Sequence, residues 1–171
     1  MKPVKQNIAL IGMPAAGKSS LGKRLAHSLG WSFCDTDNLI EQSAGLGLQQ
    51  IVDQRGYEAL RAIEAQVIIS LELSGSVIAT GGSAVYSERA MLRLRELATI
   101  VYLRCEFDEL VSRLGDYSVR GLARPPGQSL SDLYTERSAL YEQFADLTFD
   151  TSRMDLATAA DELTSRLKRQ V

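Results

Sequence analysis

The sequence predicts an α/β protein built on a five-stranded parallel sheet with helices on both faces. Three observations lead to this fold class. Short apolar runs at 8–11, 31–34, 77–79, 100–103 and 147–149 alternate with stretches of helical periodicity. Each run is followed by a loop and a helical stretch, as parallel crossovers require. The first run, Ile8-Ala9-Leu10-Ile11, leads through Gly12-Met13-Pro14-Ala15-Ala16-Gly17-Lys18-Ser19 directly into a helix. That octapeptide fits the phosphate-loop pattern G-x-x-x-x-G-K-S/T.

Each element follows from local pattern. Leu21, Leu25 and Leu29 define one face of a helix over 19–29, ended by Gly30. A second strand at 31–34 carries Asp35-Thr36-Asp37 at its carboxyl end, then a short helix over 38–44. Gly45-Leu46-Gly47 breaks that helix, and another over 48–54 stops at Arg55-Gly56. Leu60, Ile63, Val67 and Leu71 predict a longer helix from 57 to about 73. The third strand, 77–79, runs into Thr80-Gly81-Gly82-Ser83. Helices over 87–97, 107–114, 130–145 and 155–170 complete the alternation with the strands at 100–103 and 147–149. The segment 115–128 has no core-forming pattern and holds Arg120, Arg124, two prolines and three glycines. Irregular segments of that length often serve as lids.

Composition narrows the function class. A chain of 171 residues with 45% hydrophobic content is expected to form one globular domain over 1–171. The net charge of −2 gives no basic excess for nucleic acid or an anionic membrane. No signal peptide or span-length apolar run is evident, and Cys34 and Cys105 form no C-x-x-C pair. Reduced thiols, a cytoplasmic location and a monomer are the expectations.

Candidate site residues gather at the strands' carboxyl ends, where ligands of such sheets bind. The phosphate loop, Gly12 through Ser20, would hold an anion on its backbone N–H groups (Pro14 has none), with Lys18 on the β- and γ-phosphates and the Ser19 hydroxyl on Mg²⁺. Asp35 and Asp37 could divide two tasks, one holding Mg²⁺ through water and one accepting from a substrate hydroxyl. A helix N-cap accounts for Asp37 equally well. Gly81-Gly82 reads either as an anion-holding nest or as a tight turn. Arg61, flanked by Glu58 and Glu64, and Arg137 read either as solvated ion-pair faces or as forks for a carboxylate. Arg120 and Arg124 could close over transferring phosphate charge, or belong to an irregular surface connection. His27 is expected to be a half-exposed structural residue.

In order, GMPAAGKS, FCDTD, GYEALRAIE, VIATGGSAV, the arginine-bearing loop and ERSALYEQFAD resemble shikimate kinase, over about 7–153. The resemblance implies a P-loop kinase fold with strand order 2-3-1-4-5 and transfer of the ATP γ-phosphoryl group to a ring hydroxyl of shikimate, with ATP and Mg²⁺. It implies substrate-binding helices over about 37–73 and a lid over about 115–128. Asp37 would hold the substrate hydroxyls near the attacking oxygen. Arg61, Arg137 and the Gly81-Gly82 backbone would hold its carboxylate and ring face. Ser19 and, through water, Asp35 would hold Mg²⁺. Arg113 and Arg153, or Met154 beside it, would flank adenine. Either Arg120 or Arg124 would be the lid arginine. The chain departs from the family at Ser83, a third glycine in the family, at Leu60, at the lid sequence and at Ala15. A kinase for another small hydroxylated acid or polyol, and a nucleotide-binding protein without catalysis, are the alternatives.

Overall fold

A computed structural model describes residues 6–115 and 121–169. The sheet comprises β1 (Asn7–Ile11), β2 (Ser32–Asp35), β3 (Ser76–Ala79), β4 (Thr99–Arg104) and β5 (Leu147–Asp150). All neighbours are parallel, and the spatial order is β2-β3-β1-β4-β5. Every residue of β1 and β3 is buried, so neither face at the sheet centre meets water. That explains why these strands read as unbroken apolar runs and not as alternating ones.

Eight helices lie in the described residues: α1 (Lys18–Leu29), α2 (Thr36–Ala44), α3 (Leu48–Arg55), α4 (Tyr57–Ile69), α5 (Glu88–Leu97), α6 (Phe107–Leu114), α7 (Leu130–Phe144) and α8 (Leu156–Lys168). α1 packs on α8, while α5 and α7 pack on β4 and α4 packs on α5. A second, smaller apolar cluster joins α2, α3 and α4 through Ile40, Ile51 and Leu60, and Ala123 completes it. At the amino end of the sheet, the buried Asn7 amide donates to Leu73 O at 2.8 Å and Leu97 O at 3.0 Å. Its Oδ1 accepts from Ser76 N at 3.0 Å, which ties β1 to β3 and to the ends of two connections.

Several boundaries differ from the sequence reading for identifiable reasons. The apolar spacing through Leu71 outruns α4, which ends at Ile69 with Ser70 as its cap. Leu71 and Leu73 still pack on the main core, but from the turn that follows. A short 3-10 turn, Ala84–Tyr86, stands between Ser83 and α5. Asp35, not Asp37, caps α2, its Oδ1 accepting from Asp37 N at 3.0 Å. His27 is exposed on α1. The five residues 116–120, Arg120 among them, lie outside the described residues.

The strand order places β1 between β3 and β4. The phosphate loop therefore leaves the sheet beside the turn after β3, the arrangement on which the site depends. Two residues of the loop have opposite steric demands. Gly12 has φ 146°, and a methyl group there would stand 2.7 Å from the Leu103 carbonyl oxygen. Ala15 adopts φ 65°, a region that disfavours a residue with a Cβ. Gly12→Ala should lower the melting temperature and weaken nucleotide binding. Ala15→Gly should gain about 0.5–1 kcal/mol, the relieved strain exceeding the added unfolded-chain entropy. Thermal denaturation of both variants checks this; a fall in Tm for Ala15→Gly would contradict it.

Candidate active site

Three adjoining depressions run along the carboxyl edge of the sheet. The middle one lies over the phosphate loop, about 340 Å³, with Lys18, Ser19, Ser20, Asp37 and Arg113 in its wall. α1 opens on Gly17, which has φ 98° and supplies no side-chain cap, and the helix has no acid in its first turn. Its positive end is thus directed at an anion from outside the helix. Lys18 is buried, and its ammonium donates to the carbonyls of Gly12 and Met13, both at 2.7 Å. Burial pulls Lys18 down to about 8, against the charges of Asp37 and Glu64 that hold it up. The Ser19 hydroxyl donates to Asp35 Oδ2 at 2.6 Å. One hydroxyl and one carboxylate side by side are the hard-oxygen donors a Mg²⁺ ion takes from protein when phosphates and water supply the rest. Among the described residues, no cluster of three or more His, Cys, Asp or Glu could hold a metal by itself.

The second depression, about 200 Å³, shares Gly17 and Arg113 with the first and has Leu21, Met154 and Leu156 in its wall. Arg113 pairs with Glu109 one turn earlier. Glu109 also accepts from the backbone N–H of Arg153, which holds Arg153 at φ 60°. The Arg153 side chain is 84% exposed and reaches Glu106 at 3.7 Å. Of the two residues marked out by the sequence, Met154 therefore lines this depression and Arg153 does not.

The third depression is the largest, about 410 Å³. Asp37 and Pro14 connect it to the phosphate loop, and Leu60, Glu64, Gly81 and Gly82 wall it together with Arg137. Burial raises the Asp37 carboxyl above its ordinary value, with Lys18 opposing. Arg137 on α7 is 1% exposed. Its Nη2 donates to the Ala123 carbonyl at 2.9 Å. The same oxygen accepts from Arg61 Nε at 3.2 Å and Nη2 at 3.0 Å. The Tyr86 ring lies 3.6 Å from the Arg61 guanidinium and 5.4 Å from that of Arg137. Two arginines from α4 and α7 therefore converge on one oxygen over one aromatic face. The solvated-face reading does not hold for Arg61, and the turn after β3 is part of this wall. Gly121 permits the approach of the Ala123 segment, since a methyl group there would stand 2.6 Å from the Leu48 backbone. Arg124 Nη1 donates to Gln128 O at 2.8 Å within the same connection.

Glu64 is one site residue that sequence reasoning missed. The buried face of α4 is Leu60, Glu64 and Ile68, while Ile63 and Val67 are only partly buried. A glutamate on an apolar stripe was the available signal. Tyr86 and Tyr141 were missed as well; the Tyr141 hydroxyl donates to Gly82 O at 2.6 Å.

The family model for shikimate kinase matches residues 14–168. The chain belongs to the shikimate kinase family. A relative in that family, shikimate kinase 1 of Pectobacterium atrosepticum, is 35% identical over 96% of this chain and 97% of its own. Among solved structures, shikimate kinase from Acinetobacter baumannii in complex with shikimate superposes with TM-score 0.82 at 29% identity, covering 96% of this chain and 92% of that one. The Aquifex aeolicus enzyme gives 0.81 at 29% identity over 95% and 96%. The strand order 2-3-1-4-5 that the resemblance implies is the order found here.

Burial, chiefly, drives the Glu64 carboxyl up to about 7. Its ordinary value is 4.5, so between the two the folded protein keeps a proton that the unfolded chain has lost. The stability this group contributes is complete below about 4.5 and disappears as pH rises through about 7. Relative to Glu64→Gln, the wild type should lose stability across that window, by at most about 1.4 kcal/mol per pH unit. Urea denaturation of both proteins across the window checks this, and parallel pH curves would contradict it.

Proposed function

We propose that this protein transfers the γ-phosphoryl group of ATP to a ring hydroxyl of shikimate, giving shikimate 3-phosphate. The convergence of Arg61 and Arg137 on the Ala123 carbonyl is the observation that carries the acceptor assignment. A peptide carbonyl is a weak acceptor for two guanidinium groups, and it stands in for a carboxylate oxygen. Arg137 of the clamp and Asp37 wall the same depression, so a small ring acid held by its carboxylate would bring its ring hydroxyls to Asp37 and the phosphate loop. Membership of the family and the shikimate complex of the Acinetobacter relative support the same substrate.

In this reading ATP lies along the other two depressions, with adenine between Arg113 and Met154. Phosphoryl transfer needs position and charge neutralisation more than covalent help. The loop N–H groups and Lys18 hold the phosphates. Asp37 orients the attacking hydroxyl and takes its proton, and its raised affinity for a proton suits it to that role. Ser19 and Asp35 would hold Mg²⁺, which supplies charge neutralisation on the phosphates when bound. Arg120 or Arg124 serves as the lid arginine over the transferring group, α2 to α4 serve as the acceptor-binding helices, and 115–128 as the lid. All the groups come from one chain, so a monomer suffices, and a soluble cytoplasmic enzyme accords with there being no helix long and apolar enough to cross a membrane among the described residues.

A coupled ADP-release assay with MgATP tests the reading against shikimate, gluconate and AMP. ADP release should depend on shikimate. Release with another hydroxy acid in its place would assign the clamp to that acid. Arg61→Ala and Arg137→Ala should each raise the shikimate KM by about 10- to 100-fold, the range for losing a charge-assisted hydrogen bond, with little change in the ATP KM. Two variants that keep the wild-type shikimate KM would show that the pocket is misassigned.

A further inference from the structure

Glu64 places a carboxylate where a helix usually buries hydrocarbon. It is 2% exposed, and its two oxygens have unlike surroundings. Oε2 accepts the Ser83 hydroxyl, while Oε1 has no hydrogen-bond partner. Buried carboxylate oxygens without a donor are rare, because the lost hydration is not replaced. Oε1 lies over the Cα of Gly81 beside Asp37: a methyl group on Gly81 would stand 2.8 Å from Asp37 Oδ1 and closer still to Glu64 Oε1. Both acids and Ser83 are in the wall of the 410 Å³ depression. Two carboxylates on one wall can accept from two hydroxyls of one polyhydroxylated ring.

We propose that Ser83 is a positioning residue for the acceptor: its hydroxyl ties down Glu64 Oε2, so that Oε1 meets the ring as a second hydroxyl acceptor beside Asp37. This rests on the acceptor reading given above. It gives a role to the residue that stands where the family commonly has a third glycine. Ser83 comes from the turn after β3 and Glu64 from α4, so the bond also fixes that turn against the helix.

The charges around Glu64 agree with this arrangement. Asp37 faces it from α2, Arg137 from α7 and Lys18 from the phosphate loop. Burial and Asp37 push the Glu64 carboxyl up, to about 7, while the Ser83 hydroxyl, Arg137 and Lys18 hold it down. Without the Ser83 hydroxyl, Glu64 takes up its proton at higher pH. Near neutrality it then meets a ring hydroxyl as a carboxylic acid more often than as a carboxylate.

Calorimetric shikimate binding from about pH 6 to about pH 9 spans the titration and tests the proposal in wild type, Ser83→Gly, Glu64→Gln and the double variant. Ser83→Gly should weaken shikimate binding about tenfold near neutral pH, the scale of one hydrogen bond, with the gap narrowing at the alkaline end to the part that orientation alone supplies. In turnover the loss should fall on the shikimate KM more than on kcat, and nucleotide affinity should not move. In the Glu64→Gln background, replacing Ser83 should cost nothing further, as expected when one group acts through the other. Ser83→Gly binding shikimate like the wild type at every pH would overturn the proposal, as would an equal loss in both backgrounds. A wild type that does not bind shikimate at all would overturn the acceptor reading instead. Carboxyl ¹³C titration of Glu64 without acceptor separates the two cases. An upward shift of its midpoint in Ser83→Gly supports the coupling, and an unmoved midpoint overturns it.

Discussion

A guanidinium withdrawn from water must be met by oxygens and π-faces, or the fold cannot hold it. Arg137 sets this constraint here. It lies deep on α7, and the structure meets it from several directions: the Ala123 carbonyl, the Tyr86 ring and the nearby charge of Glu64. Each comes from a different element. Ala123 belongs to the connection before α7, Tyr86 to the turn after β3, and Glu64 to α4. Satisfying one buried cation thus draws together parts of the chain that surround the 410 Å³ depression. Withdrawing a charge from water costs more than such contacts usually return, so the arrangement is better understood as specifying a site than as holding the fold together.

The sheet supplies the alignment that this cluster needs. Because β1 lies between β3 and β4, the phosphate loop, the Gly81-Gly82 turn and the start of α2 emerge at one edge. Asp35 serves two neighbours there, capping α2 with one oxygen and accepting the Ser19 hydroxyl with the other. That frees Asp37, in the first turn of α2, to face the cavity. The 410 Å³ depression shares Asp37 and Pro14 with the one over the phosphate loop, which in turn shares Gly17 and Arg113 with the 200 Å³ depression. The result is one continuous track, in which a donor and an acceptor would meet over the loop.

Much of this was legible in the sequence because the signals are local and strong. Apolar runs fully buried on both faces give strands without alternation, and the phosphate loop carries its own strand and helix. What was not legible depends on tertiary contact. Arg61 and Glu64 have the spacing of a surface ion pair; only the packing of α4 shows that Glu64 lies on the buried stripe and that Arg61 turns to Ala123. The extension of α4 to about Leu73 was wrong because apolar residues in a turn, here Leu71 and Leu73, can pack on the core as well as helical ones do. The cap went to Asp35 and not to Asp37 because β2 runs one residue further than its apolar pattern. The choice between Arg153 and Met154 turned on Glu109, whose hold on the Arg153 backbone directs that side chain to solvent, a contact across 44 positions.

In the proposed function, two arginines, Arg61 and Arg137, read a carboxylate on the acceptor. Its most direct test is to compare the binding of shikimate with that of its methyl ester, which keeps the ring and every ring hydroxyl but removes the charge. The ester should bind at least about 100-fold more weakly, as expected when two charge-assisted contacts lose their anion. Equal affinity for acid and ester would contradict it, because Arg61 and Arg137 would then be holding the chain's own Ala123 carbonyl and no part of the substrate.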